Sequence, residues 1–594
     1  MKKTLIVSIC IVCLGFVHVL AQKSEGGIPL SMNPNINSEV SSQKYVQVVS
    51  LNPPDIDVLK NEDKNSPKPG LFRIGALVKA DIDMINSGTL LSLSDGSKIW
   101  RLKIQIPGVQ SLGIYYDKFH LPDGVKYYLF NANAKQILGA YTSAENPDDG
   151  IWTNEKVQGE LINLEMDIDP NVDISAIQMH INNVGVFYRA TEYLTVFDDA
   201  TQGSNYRLTT GPGFAYGGSS ACEINAVCST SVGAYTNQSN ATVHIEYIVG
   251  KFIYGGTGVM MNNTSQSCRP YILTASHVEP TNSTSNTTFS GWGFYFNYQA
   301  PSCVYSGGQP SYNTMVGAYF RARSSYDSNV AGIKDDFLLL ELKYNPPNSY
   351  NYYFSGWDNT NYTFSLSGTF IGYHHPSGDI KKVSTGTSVS PNGSFNITSG
   401  GAANSHWAIV FAQGGIEEGS SGSGLFNTSG NLIGILSGGN TASSCTSTNV
   451  NGQRMNISAE YSKIAKYWSA NAFESPSTST NTLKSWLDPT GSGVAIFGGM
   501  TGCPDAVSSV KNTQNKITVY PSPANKEVYI NGEASTNVDI QLYNVVGVLM
   551  VNQSVKTDGT GKYILNLSPY NAGVYIIRIE ENNKIYTNKI TISK

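Results

Sequence analysis

Along most of the chain, apolar residues either alternate with polar ones or gather in short unbroken runs, and sustained helical periods are few. After the turn Ser94-Asp95-Gly96-Ser97, the stretch from Arg101 to Ile106 alternates polar and apolar positions, as a half-buried strand does. Pro107-Gly108 ends it. Gly113–Tyr116 and Val125–Phe130 read as further strands, separated by the turn residues Pro122-Asp123-Gly124. Tyr271–His277 and Phe337–Leu342 are apolar runs of the kind found in buried strands. From Lys516 to Lys594 short strands are punctuated by turns at Pro521-Ser522-Pro523, Asn531-Gly532 and Asn571-Ala572-Gly573, the spacing of a small sandwich. The pattern predicts a mainly β protein, and 594 residues exceed what one core can hold, so three or four domains are expected.

Texture along the chain gives the boundaries. Met1-Lys2-Lys3 followed by the apolar run Leu5–Leu20 and Ala21-Gln22 reads as a secretory signal peptide, too short for a stable membrane span, and no later stretch reaches that length. Residues 23 to about 65 are polar and Pro/Asn-rich without a sustained period and read as a flexible lead-in. The strands from about 71 to 193 read as an independent β domain, in which His120 and His180 are structural. Asp198–Ser220 is a Gly/Ser/Thr/Asn-rich linker carrying Arg207, suited to proteolytic processing. A β-rich region from Cys222 to about Gly499 follows, then a polar joint and the final module. Composition supports this reading, with 58 glycines, 35 tyrosines and only 14% charged residues. The net charge of −5 offers no basic surface for nucleic acid, and that class is set aside. Cys10 and Cys13 lie in the signal, leaving Cys222, Cys228, Cys268, Cys303, Cys445 and Cys503. In an exported chain these read as disulfides. Their wide spacing, without nearby histidine, does not describe a zinc site.

The chemistry gathers around Glu418-Gly419-Ser420-Ser421-Gly422-Ser423-Gly424. Glycines on both sides of a serine allow a tight turn that exposes the hydroxyl. The same turn aims the N–H groups of Gly419 and Ser421 at one point, as an oxyanion hole requires. Upstream, an apolar strand ends in His277, and Asp335-Asp336 directly precedes another. Serine needs a base to become a nucleophile, which points to His277. An imidazole base needs a carboxylate to fix its tautomer, which points to Asp336, with Asp335 solvated one step outside the strand. The order His, Asp, Ser is that of the chymotrypsin-type double barrel. This chemistry needs no cofactor and no metal.

The region from Cys222 to about Gly499 resembles the lysyl endopeptidase branch of the trypsin/chymotrypsin-like serine proteases. The resemblance rests on Thr274-Ala275-Ser276-His277, Asp336–Leu342, Gly356-Trp357-Asp358, His374-His375-Pro376, Gly419-Ser420-Ser421-Gly422-Ser423 and Ser485-Trp486-Leu487-Asp488-Pro489. It implies two six-stranded barrels with the triad His277, Asp336 and Ser421 between them, and leaves His374 and His375 as structural. It also implies disulfides Cys222–Cys445 and Cys228–Cys303, while Gly256 and Val278 stand where the family has a third bridge. Cys268 and Cys503 are left over, with their pairing open. The matching pocket is Ser437, Gly438, Gly439, Ala459 and Glu460. Ala459 stands at the place of the family's lysine-binding aspartate, and Gly415 occupies the trypsin-type pocket position. Ser437 replaces the family's pocket-wall histidine, and Glu460 reaches the pocket only if the strand register shifts. Residues 71 to about 193 resemble the family's pro-region, which implies a zymogen. Val519–Ala524, Gly573–Ile579 and Lys589–Ile592 resemble the type IX secretion C-terminal sorting domain, which implies outer-membrane secretion machinery as a partner.

The combined reading is a chymotrypsin-like double β-barrel protease domain flanked by a β-rich pro-region and a C-terminal β-sandwich. Its divisions are a signal peptide at 1–22, a pro-region at 23–215, a trypsin-like serine protease domain at 216–505 and a sorting domain at 516–594. The expected activity is hydrolysis of protein or peptide substrates through an acyl-enzyme on Ser421, in a secreted or cell-surface protein exported across the outer membrane. The alternative is a catalytically inactive protease-like surface binding protein or adhesin.

Overall fold

The computed structural model describes residues 24–42, 45–65, 71–190, 218–220, 222–228, 235–303, 310, 312–325, 335–393, 404–440, 457–469, 481–503, 517–532, 534–544, 549–581 and 584–593. The segment at 1–22 read as a signal peptide, Arg207, Cys445 and the stretch near residue 510 lie outside them. Two compact units are present, Met1–Cys503 and Pro504–Lys594.

In the first unit, six strands of the N-terminal region carry the chain into a two-sheet arrangement. They are β1 (Phe72–Asp83), β2 (Lys98–Gln105), β3 (Ser111–His120), β4 (Val125–Asn131), β5 (Leu161–Ile168) and β6 (Gln178–Phe187). Strand β6 lies between β1 and β3 in one sheet, and β5 between β2 and β4 in the other. The alternation read from Arg101 onward holds: Leu102 and Ile104 are fully buried while Arg101 and Lys103 are half-buried. One apolar cluster, including Leu102, Ile104, Ile114, Tyr127, Leu164 and Val186, fills the space between the sheets.

The lead-in is not structureless. Ile56–Asn65 is a helix, and Leu59 on it is buried against Ala76 and Tyr188. Arg73 on β1 donates to Asp63 at 2.8 Å, to Glu62 at 3.1 Å and to the Leu59 carbonyl at 2.7 Å. A helix this polar has too little apolar surface to announce itself and is held by a strand that follows it in sequence.

Two closed barrels come next. The first comprises β7 (Thr242–Val249), β8 (Phe252–Met261), β9 (Tyr271–Thr274), β10 (Gly293–Phe296), β11 (Asn313–Val316), β12 (Ala318–Arg323) and β13 (Leu338–Leu342). Its pairing runs β7–β8–β9–β13–β12, and β11–β10–β7. Gly317, with φ +83, turns β11 into β12, so the ring closes as six strands. The second barrel comprises β14 (Leu366–His374), β15 (Lys382–Gly393), β16 (His406–Phe411), β17 (Gly424–Phe426), β18 (Leu432–Gly439) and β19 (Ile457–Lys463). They pair in the ring β14–β15–β16–β19–β18–β17–β14. Closure leaves no open edge within either ring.

The N-terminal region is not independent of the barrels. Strand β1 pairs antiparallel with the first half of β8, Phe252 opposite Ala76 and Gly255 opposite Phe72. One continuous sheet therefore runs from the N-terminal region into the first barrel.

The second unit holds a three-stranded and a four-stranded sheet. The strand Gly573–Glu581 buries every second side chain from Tyr575 to Glu581. Its core contains Val528, Ile530, Ile540, Leu542, Ile577, Ile579 and Ile590. Among the described residues, no helix is long and apolar enough to cross a membrane.

Candidate active site

His277 sits in a short turn immediately after β9, and Asp336 two residues before β13, so the pairing of those strands fixes their approach. Thr274 is opposite Leu338 in that ladder. His277 Nδ1 lies 2.7 Å from Asp336 Oδ2. Asp336 Oδ1 accepts the Ser276 hydroxyl and the His277 N–H, each at 3.0 Å. Both side chains are buried. Burial works against the Asp336 charge, but His277, the Ser437 hydroxyl and the His277 N–H hold its carboxyl well below the usual carboxylate range. The His277 Nε2 atom is buried and has no hydrogen-bond partner among the described residues.

Ser421 comes from the other barrel, in the turn before β17. Gly419, at φ +91, and Gly422, at φ +84, hold the turn in the left-handed region that glycine tolerates. A Cβ on Gly422 would stand 3.0 Å from the Ala275 nitrogen, which puts the serine turn directly against the segment carrying His277. Thr257 pins it: its N–H donates to the Ser421 carbonyl and its hydroxyl to the Gly419 carbonyl, each at 2.9 Å. The same hydroxyl accepts the His375 N–H at 3.1 Å. The Ser420 and Gly422 N–H groups donate to the Glu417 and Leu436 carbonyls.

Two buried histidines brace the site. His374 Nδ1 is 2.8 Å from Ser420 Oγ, and its Nε2 is 3.0 Å from Ser384 Oγ, which donates to the Gly415 carbonyl at 2.6 Å. Burial and nearby Lys382 push its imidazole down to about 3. His406 on β16 lies with Nε2 3.0 Å from Ser437 Oγ and Nδ1 2.6 Å from Ser405 Oγ. Burial pushes it down to about 4. A neutral His406 donating from Nε2 leaves the single Ser437 proton free for Asp336, so the polar line runs His406, Ser437, Asp336, His277. Asp336 also receives Ser462 from behind, whose hydroxyl accepts its N–H at 3.0 Å. Thr257, His406 and Ser462 carry no sequence signal for this role. They come from strands far apart in the chain, and only barrel register brings them together.

The structure departs from the sequence reading at Asp335 and agrees with it at the Cys228–Cys303 bridge. Asp335 is buried, at 2% exposure, rather than solvated. It stands three residues before β13, in a run where Asp336 and Phe337 are buried as well. Cys228 and Cys303 are bonded. Cys222 is disulfide-bonded, and its expected partner Cys445 is outside the described residues. Cys268 and Cys503 are free thiols, the Cys503 sulfur 4.0 Å from the Cys268 carbonyl. His180 is held on the surface between Asp117 at 2.5 Å and Asp81 at 2.9 Å, carboxylates that the fold rather than the sequence brings to it. In the pocket segment, Ala459 pairs with Gly439 and Glu460 with Gly438, after an irregularity between Leu436 and Gly438. Ala459 is fully buried in the apolar core of the second barrel. Among the described residues no cluster of His, Cys, Asp and Glu is arranged to hold a metal ion.

Two closed six-stranded barrels, with a buried His–Asp pair from one meeting a glycine-flanked serine from the other, define the chymotrypsin-like class of fold. Residues 216–455 match the family described as lysyl endopeptidase, C-terminal domain, and residues 518–593 match the secretion system C-terminal sorting domain. The chain is 27% identical over 424 residues to a lysyl endopeptidase of Pseudomonas aeruginosa, covering 68% of this chain and 83% of that one. Similar solved structures include human heparin binding protein, at 14% identity and TM-score 0.26, covering 39% of this chain and 89% of that one. Another is the thermostable serine protease AL20 from an extremophilic microorganism, at 14% identity and TM-score 0.25, covering 38% and 92%. The chain resembles the lysyl endopeptidases and carries a type IX secretion sorting domain. That domain marks export across the outer membrane as a secreted or cell-surface protein, and the homology supports a secreted protease.

Proposed function

We propose that the chain is a serine endopeptidase, made as a zymogen, that cleaves peptide bonds through an acyl-enzyme on Ser421. The observation that carries this reading is the buried His277–Asp336 pair set against the glycine-held turn of Ser421. Ser421 Oγ attacks the peptide carbonyl carbon while its proton passes to His277 Nε2. Asp336 orients the imidazole and stabilises its charged form. The oxyanion is received by the Gly419 and Ser421 N–H groups, each donor worth roughly 3 kcal/mol of barrier. His277 returns the proton to the leaving amine as the C–N bond breaks. Water then attacks the ester, giving its proton to His277, and Ser421 leaves with that proton restored.

Zymogen status is supported by how the N-terminal region meets the barrels. Besides the β1–β8 pairing, Lys156 of that region is ion-paired with Glu246 on β7, both buried. Ala190 approaches Gly378, whose Cβ would stand 2.9 Å from the Ala190 Cβ, and Gly378 adjoins Gly419. At the last residue of the linker, the Ser220 N–H donates to Glu417 Oε1 at 2.8 Å. Ala190 and Ser220, on either side of residues 191–219, are thus both held near the serine turn.

A fluorophosphonate probe tests the reading. The secreted protein should be labelled at Ser421 and should hydrolyse casein, with a new N-terminus between residues 191 and 221. Ser421→Ala should lose label and hydrolysis together. Absence of both in the correctly processed wild type would favour a binding protein.

A further inference from the structure

We propose that this protease cleaves after uncharged aliphatic residues, because the segments beside Ser421 meet in an apolar contact of Ile416 and Ala459 at which the described residues place no carboxylate. This deepens the serine-protease reading and rests on it.

The place of the pocket follows from two segments that flank the nucleophile. Ser437 interacts with Asp336, so the end of β18, Ser437-Gly438-Gly439, forms one wall beside the site. Gly415-Ile416 leads into the serine turn from its other side in sequence. The two approach closely: a Cβ on Gly439 would stand 2.7 Å from Ala459 Cα and 3.0 Å from Ile416 Cδ1. Ile416 and Ala459 belong to one apolar cluster with Ile409, Phe411 and Leu436, and both are buried.

A lysine ammonium taken out of water needs a charged or strongly polar partner at the pocket end. From Ile380 to Phe473 the sequence contains three acidic residues, Glu417, Glu418 and Glu460, so these are the carboxylates of that span that a bound cation could meet. Glu417 is committed on both oxygens, to the Ser220 N–H at 2.8 Å and the Ser377 hydroxyl at 2.6 Å. Glu418 lies two residues beyond Ile416, and in the unprocessed chain its charged surroundings are Arg189, Asp63 and Glu417 rather than the Gly439–Ala459 contact. Glu460 follows Ala459 on a regular strand and therefore points to the opposite face. There its Oε2 abuts the site where a Gly393 Cβ would stand, over β15 and β16. Burial pushes its carboxyl up to about 7, in keeping with a position that lacks a cation.

The test is digestion of a complex peptide mixture by the secreted, processed protein, with every cleavage site read by mass spectrometry and fluorophosphonate labelling run in parallel. Cleavage after Ala, Val, Leu or Ile is expected at least tenfold above cleavage after Lys or Arg, corrected for abundance. Ala459→Asp should raise cleavage after Lys relative to Leu by at least tenfold. If that variant fails to fold, the wild-type distribution decides alone. A preference for basic, acidic or aromatic residues, with Ser421 labelled, overturns the proposal and leaves the protease reading standing. No cleavage and no labelling overturns both.

Discussion

Asp336 can remain charged in a dry interior because the Ser276 hydroxyl and the His277 N–H from one turn and the Ser437 hydroxyl from β18 converge on it, and the His277 imidazole completes the set. Asp336→Asn should leave the barrel folded and lower kcat on the order of 10⁴-fold, since the amide presents the wrong partner to Nδ1. Steady-state hydrolysis alongside a melting curve checks this. The bracing histidines make a second, thermodynamic prediction. His374 and His406 are pushed down to about 3 and about 4, below the usual imidazole value of about 6.5. The unfolded chain therefore binds protons that the folded one refuses. Their contribution to stability is complete above about pH 6.5 and falls as pH drops toward 4. Tm measured from pH 7 to 4 should fall in wild type and less steeply in the His374→Gln, His406→Gln double variant. At this scale the sequence shows Ser421, His277 and Asp336 because glycines or apolar runs frame each of them. Ser437 is visible only as a pocket wall, and its part in holding Asp336 depends on the register of β18 against β19. Thr257 and His406 are ordinary strand residues until the barrels close.

The elements divide in the same way. Strands with an alternating pattern, such as β2, are legible because half of each faces a core. The helix Ile56–Asn65 is not, because Arg73 on β1 supplies its support from outside the local pattern. Nor is the docking of β1 on β8, since strand pairing across a long separation leaves no mark in either segment. The Lys156–Glu246 pair sits in this shared region and is almost fully buried on both sides. Burial opposes the Glu246 charge, yet Lys156 and His244 hold its carboxyl down to about 2. The sign is that of a depressed acid: its stabilisation is present above about pH 4.3 and is lost as pH falls toward 2. Lys156→Met leaves a buried carboxylate without its cation and should destabilise the unprocessed chain by about 3–5 kcal/mol. Calorimetry of that chain at pH 7 checks it, and Lys156→Met with Glu246→Leu should recover most of the loss. A single variant no less stable than wild type would mean that the pair does not hold the N-terminal region to the barrel.

At the scale of the molecule, the chain joins a folded unit ending at Cys503 to a sandwich with its own closed apolar core. A core of this kind, with Val528, Ile540, Ile577 and Ile590 all buried within it, has the means to fold without the barrels. The barrels in turn carry their own restraint. Cys228–Cys303 closes a loop with a sequence separation of 75 residues, worth about 4 kcal/mol on the chain-entropy account. Stability and address are therefore separable properties of this chain. Truncation after Cys503 should leave the Tm of the barrel unit within about 1 °C of the full chain's main transition, because each unit closes an apolar core of its own. The same truncation should remove the protein from the medium and cell surface and leave it inside the outer membrane, where fractionation and immunoblotting would find it. Attaching residues 504–594 to an unrelated periplasmic protein should send that protein outward. If the truncated chain instead melted well below the full one, the sandwich would be supporting the barrels as well as directing export.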